Sequence, residues 1–108
     1  MKHKMPHNGD QALLYGWVAT LPCQRCGSSG VQISHSNQSA HGKGMGLRAY
    51  PWCIAALCPS CHIDIDSGSL MTRAERIDAW NNAHVKTLHA LFEQALVRPV
   101  STTLGTNQ

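Results

Sequence analysis

Nine consecutive residues, CPSCHIDID at 58–66, contain two cysteines, a histidine and two aspartates, each able to ligate a metal ion. Cys58 and Cys61 enclose two residues, and the same gap separates Cys23 from Cys26. A two-residue gap lets both thiolates of a pair reach one ion from a single tight turn. Two such turns make the closed tetrahedral shell of four thiolates that holds structural zinc. A redox role for the CxxC pairs fits less well, because there are two of them and no thioredoxin-like βαβ pattern surrounds either. Disulfides fit less well too. The opening residues, MKHKMPHNGD, lack the apolar stretch of a secretory signal, so a cytoplasmic, reducing compartment is expected. Cys53, the fifth cysteine, lies in an apolar run and reads as a buried thiol.

With four thiolates filling one shell, His62 is left over. If 59–67 is helical, His62 and Asp66 share a face one turn apart. Such a pair can hold a divalent cation from two sides and leave positions open for water and substrate, as a catalytic metal needs. The plainer reading makes His62 a helix cap or an outer partner of the zinc ligands. Asp64 points elsewhere on the helix. His35 closes the segment GVQISH and could take a proton from water, or merely cap a strand. His41 opens the run HGKGMG, where glycines would let backbone N–H groups approach a phosphate and Lys43 adds charge. His84 and His89 fall on a long helix and read as ordinary.

Charge is distributed unevenly. The net charge is +3, and from Gln11 to Ile63 there is no acidic residue, while Arg25, Lys43 and Arg48 fall in that span. A basic stretch ending at a pair of carboxylates suits a polyanion with a cation held between the two.

The elements that must position these groups follow from punctuation and period. A chain of 108 residues suggests one domain, able to bury roughly two-thirds of its unfolded surface. No apolar run approaches the roughly 18 residues of a membrane span. NGDQALLYGWVATL reads as a helix that Asn8 can cap, with Leu13, Leu14, Trp17, Val18 and Leu21 at helical spacing and Pro22 ending it. GVQISH at 30–35 is a strand, SNQSAHGKGMGLRAYP a loop, and WCIAAL at 52–57 a second strand. Pro59 suits the first turn of a short helix and Gly68 its end. Over 72–97, Thr72 and Glu75 form a capping box. Ile77, Trp80, His84, Leu88, Leu91, Phe92 and Ala95 make an apolar stripe for core packing. Arg73 and Arg76 on that helix are a lesser option for backbone contact with DNA. Residues 99–108 read as a disordered tail.

The order CQRC…ISH…ALCPSCH…D resembles the HNH, or ββα-metal (His-Me finger), endonucleases. It is most similar to small phage and prophage members, including the RecA-dependent nuclease type. The resemblance covers about residues 22–68. It implies an α+β fold: a ββα-metal core braced by a four-cysteine zinc, flanked by an N-terminal helix and a long C-terminal helix, within a single domain over 1–98. By position, His35 matches the general base, His62 the helix-borne metal ligand, and Asp66 a second ligand of a catalytic Mg²⁺ or other divalent cation. Ser34 stands where the family commonly has an Asp or His ligand. Residues 42–57 lack the family's middle asparagine, Asn37 being the nearest. Either another group, such as the Ser34 hydroxyl or His41, completes the shell, or the ion is weakly held. The implied activity is DNA cleavage with little sequence preference, Lys43, Arg48 and Arg25 holding backbone phosphates. Phage DNA recombination and a recombinase filament as partner follow from the resemblance alone. The alternative is a noncatalytic four-cysteine zinc module for nucleic acid or protein.

Overall fold

The structure is a computed structural model, and it describes residues 8–44 and 49–94. The elements run α1 (Asn8–Val18), β1 (Gln32–His35), a 3₁₀ turn (Ser39–His41), β2 (Ile54–Leu57), α2 (Pro59–Asp66) and α3 (Arg73–Glu93). The fold is therefore α+β, with the four cysteines clustered at one end of the sheet. The tail at 99–108, Ala95 and Arg48 lie outside the described residues.

The strands pair antiparallel, with Gln32 opposite Leu57 and His35 opposite Ile54. Alternation along a strand then fixes two faces. Gln32 and Ser34 share one with Leu57 and Ala55, and Ile33 and His35 share the other with Ala56 and Ile54. Each face has its own core. Ala55 and Leu57 pack with Cys23, Cys58, Cys61, Ile65, Trp80 and Ala83. Ile54 and Ala56 pack with Val18, Leu21 and Leu91, and with the partly buried Leu14 and Ile33. β2 is buried at every position, which is why its sequence is continuously apolar and does not alternate.

α3 spans both cores, giving Trp80 and Ala83 to the first and Leu91 to the second. Its buried face is Trp80, Ala83, Thr87 and Leu91, a run at helical period. Phe92 sits one step around and is exposed, so the expected stripe is rotated slightly. Thr87 is tolerated in that face because its hydroxyl is fully used. Oγ1 accepts from the Ala56 N–H at 3.0 Å and donates to the Ala83 carbonyl at 2.7 Å.

Local signals set the helix ends. The Thr72 hydroxyl accepts from the Glu75 N–H at 3.1 Å, and Glu75 accepts from the Thr72 N–H at 2.8 Å. Cys58 caps α2, its sulfur accepting from the Cys61 N–H, with Pro59 in the first turn. A Cβ at position 68 would lie 2.6 Å from the Asp64 carbonyl oxygen, so the exit from α2 requires glycine. The second strand starts at Ile54, two residues later than expected. Tyr50 and Cys53 are tied in a turn by the Cys53 N–H to Tyr50 carbonyl bond of 2.9 Å. Among the described residues no helix is long and apolar enough to cross a membrane.

Candidate metal centre and the adjoining polar cluster

The first knuckle is fastened to β2 by the Gln24 N–H, which donates to the Ala56 carbonyl at 2.9 Å. β2 itself runs directly into the second knuckle. The two turns thus converge, and the sulfurs of Cys23, Cys26, Cys58 and Cys61 all lie within 4.8 Å of one another. Cys26 Sγ and Cys58 Sγ are 3.7 Å apart. Zinc–sulfur bonds of about 2.3 Å give a regular tetrahedron with edges of about 3.8 Å. The cluster is therefore compatible with a structural metal such as zinc.

The surroundings favour thiolates unevenly. Burial pushes the Cys23 thiol up, but backbone N–H groups at Cys58, Cys26 and Arg25 outweigh it and bring it down to about 6. Burial carries Cys61 the other way, to about 12, opposed by Arg25 and reinforced by the neighbouring sulfurs. Four ionised sulfurs this close conflict electrostatically, and a divalent cation at their centre removes the conflict. Cys53 stands apart from the four; it is buried, and burial raises its thiol.

One turn along α2 the chemistry changes from sulfur to nitrogen and oxygen. His62 Nε2 lies 2.9 Å from Asp66 Oδ2, with both side chains partly exposed. His62 Nδ1 meets Gln32 Oε1 at 2.9 Å, and Asn37 Nδ2 donates to Asp66 Oδ1 at 3.1 Å. α2 thus lies along β1, its first part beside Gln32 and its end beside Asn37. Each ring nitrogen therefore faces an oxygen, Nδ1 that of the Gln32 amide and Nε2 that of the Asp66 carboxylate. Ligand atoms about 2.1 Å from an octahedrally coordinated ion and adjacent in its shell lie about 3 Å apart. The 2.9 Å separation fits that edge.

His35 is on the other face of β1. Its ring packs edge-on against Tyr15 of α1, with centroids 5.6 Å apart. The Tyr15 hydroxyl donates to the Pro51 carbonyl at 3.2 Å and lies 3.3 Å from His35 Nε2. The structure brings His62 and Asp66 together and sets His35 across the strand from them.

Neither expected addition to the shell reaches this pair. Ser34 is fully buried and its hydroxyl accepts from Trp80 Nε1 at 3.0 Å. His41 Nδ1 is bonded to Ser36 Oγ at 2.5 Å, and its ring faces Trp80. Their places beside Asp66 and His62 are taken by Asn37 and Gln32. Arg25, expected at a phosphate, pairs with Asp64 at 3.3 Å and reaches Cys61. Asp64 is correspondingly an ion-pair partner of the first knuckle. Lys43 is exposed just beyond the 3₁₀ turn. His84 donates from Nδ1 to the Ile54 carbonyl at 2.6 Å and stacks on Trp80, a packing role.

Comparison with models of known families, with curated proteins and with solved structures returns no match to this chain.

Proposed function

We propose that the chain is a metal-dependent endonuclease acting on DNA, with a structural zinc in the four-cysteine cluster and a separate divalent cation held by His62 and Asp66. The carrying observation is the His62–Asp66 pair, oriented from outside by Gln32 and Asn37. Outer hydrogen bonds of that kind are what fix ligand tautomer and direction at metal sites. A divalent cation bound there supplies Lewis-acid polarisation of a phosphodiester and charge neutralisation at the leaving oxygen. His62 presents Nε2 because Gln32 engages Nδ1. Asp66 presents Oδ2 because Asn37 engages Oδ1. His35 supplies the basic nitrogen that takes a proton from the attacking water. The described sheet has two strands, and β1 forms one of its edges. A phosphodiester lying along that edge would meet Asp66 from one face and His35 from the other. Lys43 and the net charge of +3 suit a sequence-blind polyanion, with affinity falling steeply as salt rises.

A second reading is supported by the face occupied by His35. A four-cysteine module that binds nucleic acid without cutting has no need of His35 and His62 on one face. Plasmid nicking with Mg²⁺ or Mn²⁺ separates the two. The nuclease reading expects nicking by the wild type and none by His62→Ala. It also expects a loss of about 10²- to 10⁴-fold in His35→Ala, the usual contribution of a general base. Wild-type protein that never nicks with any divalent cation leaves the binding module, and an undiminished His35→Ala removes His35 as the base.

A further inference from the structure

Beside the His62–Asp66 pair lies a recess of about 300 Å³, walled by Asn37, Gln38, Asp66, Arg73, Arg76 and Trp80. Two arginines and one carboxylate line it, and that carboxylate is already engaged by Asn37 and His62. Arg76 is positioned firmly. Its Nη1 donates to the Asp66 carbonyl at 3.0 Å, joining α3 to the end of α2. Its Nε is buried and has no hydrogen-bond partner among the described residues. A buried donor of that kind is costly unless an acceptor completes it. Arg73 is exposed one turn earlier on the same helix. The recess does not depend on the helix end itself, since the Glu75 N–H there is already taken by Thr72. Gln38 is held in the wall through Asn81 at 2.8 Å.

We infer that this recess binds a second, non-scissile backbone phosphate of the polynucleotide, received by Arg73 and Arg76, which line it. The inference rests on the nuclease reading, which makes the anion part of a nucleic acid. A phosphate is the matched ligand because a guanidinium presents a planar fork of donors to its oxygens. Asp66 borders both this recess and the one containing His62 and Gln32. The bound phosphate would therefore sit next to the one at the cation and set which bond of the backbone is presented.

The test uses the full zinc-loaded chain, with Ca²⁺ as a cation for binding measurements and a short DNA duplex as probe. The Arg76 Nε–Hε resonance should shift saturably as duplex is added. Arg73→Gln should weaken duplex binding several-fold and reduce the slope of log K against log salt by about 1, the signature of one lost phosphate contact. Arg76→Lys keeps the charge and loses the Nε donor, and it should weaken binding as well if its melting is unchanged. If the wild type binds and nicks DNA while the Arg76 resonance stays put and the Arg73→Gln slope is unaltered, the recess is not a phosphate site and the nuclease reading stands. If the wild type neither binds nor nicks DNA, the polynucleotide occupant falls with the nuclease reading, whatever inorganic phosphate does at Arg76.

Discussion

At its start α2 presents Cys58 and Cys61 to two further sulfurs in a largely buried cluster, whereas His62 and Asp66, a residue and a turn beyond, meet oxygen and nitrogen partners at a partly exposed surface. The sulfur end is symmetric. Both pairs are tight turns, and a backbone N–H approaches a sulfur in each, at 3.5 Å from Cys26 and 3.4 Å from Cys61. The other end is asymmetric, His62 and Asp66 each held by a different side chain. A closed four-ligand shell has no room for substrate, whereas the proposed two-ligand site would leave positions open. On the proposed reading, one helix carries a group that builds and, beside it, one that would react.

The largest test of that contrast is Cys58→Ser. Loss of one thiolate breaks the four-sulfur shell, while a serine hydroxyl can still cap α2. A structural zinc contributes on the order of 10 kcal/mol, against typical domain stabilities of about 5–15 kcal/mol. The variant should lose zinc by metal analysis and its helical signal by circular dichroism at room temperature. A zinc-free variant that melts like the wild type would show that the cluster is not a brace. Next comes the opposite end. His62→Ala should melt within a degree or two of the wild type, since its ring is partly exposed, but lose calorimetric Mn²⁺ binding outside the zinc site. Gln32→Leu, which removes only the outer hydrogen bond, should cost about 10- to 100-fold in the same affinity. An unfolded His62→Ala would erase the distinction between the two ends.

How much of this was legible in the residue order depends on how far apart the partners lie. The CxxC pairs, the Thr72–Glu75 box, Pro59 at the start of α2 and the His62–Asp66 pair are all fixed within four residues, and each stands in the structure as spacing implies. The partners that orient the pair are remote: Gln32 is 30 residues from His62, and Asn37 is 29 from Asp66. Alternation shows that Gln32 and His35 point to opposite sides of β1. It does not show which side α2 will cover. That choice comes from packing, because Ile65 and the sulfurs join the Trp80 core while Ile33 joins the core of α1. Ser34 illustrates the same limit. As an isolated residue it is an available oxygen, and only the placement of α3 reveals that Trp80 consumes it.

Ser34→Ala sharpens the comparison at smaller scale. It leaves the Trp80 indole N–H buried without its acceptor, a cost of about 1–3 kcal/mol. For a domain of this size each kcal/mol moves the melting temperature by roughly 4–8 °C. The drop should come without loss of zinc or of Mn²⁺ affinity, since the hydroxyl faces α3 and neither ion site. Reduced Mn²⁺ affinity in a folded Ser34→Ala would return this hydroxyl to the cation shell.

The smallest expected effect is at Thr72, and it separates the two ends most finely. Removing the capping hydroxyl by Thr72→Ala frees the Glu75 N–H and should cost about 1 kcal/mol. The first turn of α3 also carries Arg76, whose guanidinium holds the last carbonyl of α2 at Asp66. Loosening that turn should therefore be felt at Asp66 before it is felt at the sulfurs. Hydrogen exchange is the suitable readout: faster exchange across the end of α2 and the start of α3, with the Cys26 and Cys61 amides unchanged. The sign with pH follows from Glu75, whose carboxyl is held below its usual range by the Thr72 backbone N–H. A carboxyl lowered on folding contributes stability that is present above its unfolded value and lost as pH falls through the folded one. The wild type should then approach the exchange pattern of Thr72→Ala as the solution is acidified through that range. Equal acceleration at the cysteine amides would mean that the two ends of α2 move as one body, and the division of labour drawn between them would have to be given up.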